Sequence, residues 1–336
     1  MLFNKDGNGN EELKAVIGWV YKSNDFANIE MDIELAQEEL IKIIGQNVFD
    51  IADNYYNDID GSGSGSVSGS EPTVELKIKL LQHIRLPNAI LAYLAYADNA
   101  DLSHEDAGRK VKINKDSESL PWEWMVDRDN ASLLRKADKA TDRLISFLEK
   151  NQDNILAWKN STSQKLARAS FIKSAEAFDK IFPIAQSRTF FLKILPFMNI
   201  IERQRIKAVL TSVDYAALKA ADIAGTLTAA QLELTEKIQL AIAPLTMSLA
   251  VRRLSLQVIP EGVIQNYISE QLTTKAKSAA PLDLINSVAR TLEDDGEKEL
   301  RHIQEYLRKL NDSGSGSFSA QAVMPANDED NKYFRT

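Results

Sequence analysis

The side chains in this chain that could do chemistry are few and poorly spaced for it. The three histidines, His83, His104 and His302, lie far apart, and none sits in a His-Glu-x-x-His pairing that would put two imidazoles on one helix face around zinc. Each is expected at a surface or a helix boundary. With no cysteine, disulfides, thiol nucleophiles and thiolate-held zinc or iron–sulfur clusters are excluded. Two runs open like calcium loops but lack the bidentate Glu that an EF-hand needs at its twelfth position. After Asp58-Ile59-Asp60-Gly61-Ser62-Gly63 that place is Gly69, and after Asn4-Lys5-Asp6-Gly7-Asn8-Gly9-Asn10 it is Ala15. Both read as ordinary turns. The tract Gly61–Ser70 is no phosphate loop, because no Gly-Lys-Ser/Thr leads from it into a helix. Adjacent carboxylates such as Glu38 and Glu39, or Asp294 and Asp295, point in different directions from a helix and suit solvation better than acid–base work. No positioned nucleophile or base emerges, so no catalytic group, cofactor or metal site is assigned, and a non-enzymatic role is expected.

The elements that carry these residues come in a repeated order. From Glu12 to Asn151 the chain runs through ELKAVIGW, EELIKIIGQNVFDIA, a polar break, KIKLLQHIRLPNAILAYLAYA, a β-like LSHEDAGRKVKI and a closing ADKATDRLISFLEKN. From Phe171 to Asn311 it runs through FIKSAEAF, ERQRIKAVLTSVDYAAL, a break, KIQLAIAPLTMSLAV, LSLQVIPEGVIQ and GEKELRHIQEYLRKLN. Both passes place a proline, Pro87 and Pro244, inside the longest apolar helix, where proline removes a backbone donor and is normally excluded. The expected fold is mainly α: a tandem duplication of a helical bundle, each copy with a small β-hairpin. Residues 1–160 form the first repeat, with a glycine–serine loop at 61–70. Residues 161–311 form the second, and 312–336 a flexible tail.

Periodicity supplies the buried stripes. Over Glu34–Ile51 the residues Leu35, Ala36, Leu40, Ile43, Ile44 and Val48 recur at three- and four-residue steps. Over Leu133–Lys150 the stripe is Leu134, Ala137, Ala140, Leu144, Phe147 and Leu148, and its counterpart is Leu300, Ile303, Tyr306, Leu307 and Leu310. The apolar runs around Thr189–Ile201 and Ala241–Val251 are too short to span a bilayer and are interrupted by Lys193, Pro196 and Pro244. No signal peptide opens the chain, and synthesis in the cytoplasm is expected.

What remains is surface. The net charge of -8 is uneven: residues 1–165 carry 19 Lys and Arg against 28 Asp and Glu, and residues 166–336 carry 21 against 20. Leu166–Leu210 is locally basic through Arg168, Lys173, Lys180, Arg188, Lys193, Arg203, Arg205 and Lys207. This stretch reads either as a solvated helix face or as a patch that meets the acidic half of a second copy. It has no interleaved exposed aromatics, and DNA contact has no support from the sequence. Interface candidates are Arg188, Arg203 and Arg205, the tryptophans Trp122 and Trp124, and the tail residues Phe318, Tyr333 and Phe334. For the tryptophans the competing reading is that they cap the core where the hairpin meets the closing helix.

The segments FIKSAEAFDKIFPI, SRTFFLKILPFMNIIERQRI and KIQLAIAPLTMSLAVRRLSLQVIPEGV carry a resemblance. They are similar to an uncharacterised family encoded in phages and prophages of Bacteroides-type bacteria, usually among virion structural proteins. The similarity covers most of residues 1–311 and is most specific from Phe171 to Val263. Each half also resembles in outline the small helical head–tail connector (adaptor) proteins of tailed phages, which build a ring beneath the portal. That resemblance implies a virion protein whose partners are its own copies in a ring, the portal and other neck or tail proteins. It brings no catalytic residue, cofactor or membrane contact. The glycine–serine tracts and the tail depart from the compact family pattern. The alternative is a helical binding or scaffolding module that assists assembly without remaining in the particle.

Overall fold

The computed structural model describes residues 1–18, 25–57, 72–100, 103–105, 108–110, 122–254, 256–259, 262–265 and 282–312. The glycine–serine tract 61–70, the run 58–63 and the tail 313–336, with Phe318, Tyr333 and Phe334, lie outside the described residues. The chain is mainly α-helical. Its described residues fall into two units. One is built on Met1–Lys165 with Ser187–Thr189, the other on Leu166–Gln186, Phe190–Tyr267 and the helix that ends at Asp312.

In the first unit, α1 (Gly9–Ile17), α2 (Glu30–Ile44) and α3 (Gln46–Asn57) surround α4 (Val74–Ala100), and α5 (Glu123–Lys150) packs along it. The continuous helix expected over Glu34–Ile51 is two helices. The chain turns between them at Gly45, whose φ of 88° and ψ of 148° suit a residue without a Cβ. The inward stripe of α2 is Ile33, Ala36, Leu40 and Ile44, at spacings of three and four, and Leu35 is 51% exposed rather than buried. In α5 the same one-residue offset puts Leu133 inside and Leu134 outside. Of the other expected positions of α5, Ala137, Ala140, Leu144 and Leu148 are buried and Phe147 is half-buried. Leu80, Leu81, Ile84, Ala89, Ile90 and Ala92 of α4 are all buried, and Pro87 lies within the helix. A helix buried on most of its circumference must be enclosed by others, which is the arrangement found. Between α4 and α5, β1 (Ser103–Glu105) pairs antiparallel with β2 (Gly108–Lys110). The short α6 (Leu156–Lys159) buries Trp158, and α7 (Thr162–Ala169) leads on into the second unit.

In the second unit, α8 (Ala175–Asp179) starts at Ser174, whose Oγ accepts from the Ala177 amide. α9 (Arg188–Ile201) continues through one π-turn, Glu202–Ile206, into α10 (Lys207–Val209). After a break at Leu210, α11 (Ser212–Ala224) is capped by Thr211 and ends at Gly225, φ 70°. The long α12 (Ala229–Arg253) opens with a capping box in which Thr228 and Gln231 satisfy each other's backbone amides. It carries Pro244 in its interior and packs along α13 (Leu282–Asp312). Between them β3 (Leu256–Ile259) pairs antiparallel with β4 (Gly262–Gln265), Val258 opposite Val263. Phe171, Phe178, Phe191, Met198, Ile238 and Ile303 belong to one buried cluster fed by α8, α9, α12 and α13. Fully burying one such side chain contributes ~1.5–3 kcal/mol.

α13 comes close to α12 at Gly296, where an added Cβ would overlap the buried side chain of Leu245. Alanine is the better helix former by ~1 kcal/mol, so on propensity alone Gly296→Ala would stabilise. Overpacking against Leu245 outweighs that gain, and Gly296→Ala should lower stability by ~1–2 kcal/mol and Gly296→Val by more. Urea denaturation of both variants tests this; a stabilised Ala variant would show the contact to be loose.

Candidate functional site

Buried polar groups in the second unit converge on one carboxylate. Glu202 begins the π-turn and is 2% exposed. Its Oε1 accepts from Ser170 Oγ (2.6 Å) and from the Phe171 amide (2.8 Å), and its Oε2 lies 2.6 Å from Lys219 Nζ. The Tyr215 hydroxyl donates to Oε2 at a long 3.5 Å. Lys219, from α11, also donates to the Ala169 carbonyl (2.5 Å) and sits 3.6 Å above the centre of the Phe171 ring. One turn further along α11, Asp222 accepts from Lys173 Nζ through its Oδ1 (3.0 Å) and its carbonyl (2.9 Å). Burial pushes the Lys219 pKa down, with Glu202 opposing it; burial and then Glu202 push the Tyr215 phenol up to about 12. Both oxygens of Glu202 are occupied by donors. The cluster ties the segment before α8, the π-turn and α11 together, and chemically it is a clamp.

The first unit contains a cluster of the same ingredients. Arg85, from α4, donates through Nε to the Leu2 carbonyl (2.6 Å) and approaches Glu12 Oε1 at 3.2 Å. Its guanidinium lies over the rings of Phe3 and Tyr56, 5.0 and 4.6 Å from their centres. The Tyr56 hydroxyl donates to Glu12 Oε2 (2.7 Å) and accepts from the Lys5 amide (2.6 Å), while the Asn4 amide donates to the same Oε2 (2.7 Å). Burial, followed by the Glu12 hydrogen bond, pushes the Tyr56 pKa up to about 12. The Asn4–Asn10 run is a turn: Lys5–Gly7 is a 3-10 turn, and Asn4 Oδ1 accepts from the Gly9 amide at 3.2 Å.

The interface candidates fare differently. Arg188 belongs to the first unit, where its Nε donates to Glu149 Oε2 (2.8 Å), while Thr189 donates through its amide and hydroxyl to Asp142 Oδ1 (2.7 and 2.6 Å). Arg205 is ion-paired with Glu297 of α13, whereas Arg203 is exposed on the π-turn. Of these three arginines, Arg203 alone is exposed. Trp122, just before α5, is 70% exposed, and Trp124 and Met125 in its first turn are exposed too. A shallow cleft there is lined by Trp124, Met125, Arg128, Asp129 and Ser132. These aromatics do not cap the core.

His83, expected at a surface or boundary, lies mid-helix in α4 and stacks on Phe147 at 4.6 Å; burial and then Arg143 lower its pKa. His302 is exposed beside Glu299. Among the described residues no group of three or more His, Cys, Asp or Glu is placed to hold a metal ion, and no helix is long and apolar enough to cross a membrane. The signal for the Glu202 clamp was present in the sequence, because Glu202 falls in helical phase with the core residues Leu195 and Met198.

A family model described as a family of unknown function (DUF6712) matches residues 37–168 and 206–316. The first stretch runs from α2 into α7 and the second from the π-turn past α13, so each takes in one proline-bearing helix and the helix that follows it. No curated protein and no solved structure matches the chain.

Removing one partner of a buried ion pair leaves the other charge uncompensated, at a cost of ~3–5 kcal/mol, whereas replacing both partners by neutral groups costs far less. Glu202→Ala should lose about that much in urea denaturation, and Glu202→Gln combined with Lys219→Met should recover most of it; a loss under ~0.5 kcal/mol for Glu202→Ala would contradict the clamp. The tyrosines give a pH signature. An unfolded phenol titrates near 10, so a folded value of about 12 gives stability that is whole below pH 10 and lost as pH rises through 12. Lys219, with its folded pKa lowered, works in the opposite direction below its unfolded value. Tyr56→Phe with Tyr215→Phe should make the stability loss between pH 10 and 12 shallower; an unchanged slope would mean that these phenols titrate like exposed ones.

Proposed function

We propose that this chain, which belongs to the DUF6712 family of unknown function, is a non-enzymatic virion protein that closes into a ring in the head–tail connector of a tailed phage. The observation that carries the reading is the position of the large exposed apolar side chains. Trp122, Trp124 and Met125 stand at the start of α5, and Leu284 and Val288 in the first turns of α13. We read the two units as tandem copies. In that reading α2 and α3, broken at Gly45, correspond to α9–α10 and α11, broken at Leu210. Likewise α4 with Pro87 corresponds to α12 with Pro244, the two hairpins to each other, and α5 to α13. The exposed apolar residues then occupy like places in both copies, at the start of the long helix that follows the hairpin.

A closed ring needs two different surfaces on each protomer, related by a rotation that closes. A duplicated unit supplies them, since the same element in two sequence contexts gives two faces of like shape and different chemistry. The buried ionisable groups are taken up in holding backbone segments, so the reading places function on surfaces. Copies of the chain, the portal and other neck or tail proteins are the partners it implies.

Exposed tryptophans at an interface act as anchors worth ~2 kcal/mol or more each. Sedimentation velocity of the full chain should show a discrete species of many copies, and Trp122→Ala with Trp124→Ala should shift it toward the protomer. A monomer or dimer at every concentration would overturn the ring and favour an assembly-assisting module.

A further inference from the structure

Two solvent-facing helix stripes, one in each unit, are complementary in charge and similar in length. On α2 the residues Met31, Glu34, Leu35, Glu38 and Lys42 fall on one side, opposite the buried Ile33, Ala36, Leu40 and Ile44, with Glu39 on the flank. All six are exposed, Met31 by 70%. The stripe is an apolar pair bordered by three carboxylates, with one lysine at its end. Along α9, the π-turn and α10 the exposed residues are Lys193, Pro196, Arg203, Gln204, Lys207 and Ala208. The carboxylate within that stretch, Glu202, is buried and bound to Lys219, and Arg205 is paired with Glu297. The second stripe is therefore positive along its length. At 1.5 Å per residue the first runs about 17 Å from Met31 to Lys42 and the second about 21 Å from Lys193 to Lys207.

We infer that the α2 face of one copy docks on the α9–α10 face of a second copy of this chain. The inference rests on the ring-forming reading and names the surfaces that would close the ring. The occupant is chosen on charge complementarity. Glu34, Glu38 and Glu39, spanning about 8 Å of α2, meet Arg203 and Lys207, about 6 Å apart along their helix, with Met31 and Leu35 beside Ala208, and Lys193 at the far end of the stripe. In the tandem reading these are the same helix of the bundle, acidic in one unit and basic in the other, so a head-to-tail chain of copies would join unlike faces at every junction. Like faces would repel, which sets the direction of assembly.

The test uses three variants of the full chain in sedimentation velocity at low and high salt, with circular dichroism to verify folding. Glu34→Lys, Glu38→Lys and Glu39→Lys together should weaken assembly at least about 100-fold, and so should Lys193→Glu, Arg203→Glu and Lys207→Glu together. All six substitutions in one chain exchange the two faces and should bring assembly back to within about tenfold of the native protein. Substitution by Gln at the same positions should give the same order with smaller losses. If the native chain assembles and neither reversal weakens it, or the sixfold variant is no better than the worse single-face variant, the pairing is overturned and the ring reading stands. Retention of duplex DNA by the basic stripe, abolished by its reversal without an effect on assembly, would also overturn it. A native chain that never assembles would overturn both.

Discussion

Each unit depends on one long helix whose second half has almost no face fit for water. In α12 the buried set includes Ala241, Ile242, Ala243, Leu245, Thr246 and Met247, spread around the helix, and α4 is similar through Ile84, Asn88, Ala89, Ile90 and Ala92. Such a helix is stable only when enclosed. The enclosure explains why both tolerate an interior proline. The lost hydrogen bond and ring clash cost ~3 kcal/mol, comparable with the burial of one or two large apolar side chains. It also explains why α5 and α13 are long. Each lines its central helix, and at Gly296 α13 leaves no room for a Cβ against Leu245.

Regular helices leave irregular segments to be fixed by other means, and the two units use the same kind of device. In one, a carboxylate, a phenol and a guanidinium (Glu12, Tyr56 and Arg85) hold the residues before α1. In the other, a carboxylate, a phenol and an ammonium (Glu202, Tyr215 and Lys219) hold the residues before α8 and the π-turn. Desolvating these charges is unfavourable, so their gain lies in fixing one backbone path rather than in raw stability. The choice of cation follows the geometry. Arg85 lies over two rings, which suits a broad guanidinium, while Lys219 places a compact charge over one ring and within reach of two oxygen acceptors.

Much of this architecture is legible in the sequence because helical period is a strong signal, and it is least legible where two apolar neighbours compete for one inward position. The expected stripes hold both Leu35 and Ala36, and Leu134 rather than Leu133, because neighbours both fit a three-and-four spacing, whereas the fold turns only Ala36 and Leu133 inward. The break at Gly45 was hidden for a related reason, since a single glycine in an otherwise periodic run costs a helix only ~1 kcal/mol and does not by itself end it. The surface was harder to read. Arg188, Arg203 and Arg205 are near in sequence, yet two are consumed by ion pairs with Glu149 and Glu297, partners 39 and 92 residues away. The same long-range pairing hid the Glu202 clamp, whose phase was visible but whose lysine was not. Trp122 and Trp124 conversely read in sequence as caps of the core before they read as interface anchors, and their exposure removes the first reading.

The functional account reduces to one claim, that the surfaces left open by a single chain are closed by other copies of it in a ring. Electron microscopy of the purified full-length chain tests this most directly. The account predicts class averages of closed rings with one dominant rotational symmetry, dispersing at high salt. Fields of isolated particles of single-chain mass at every concentration and ionic strength would contradict it.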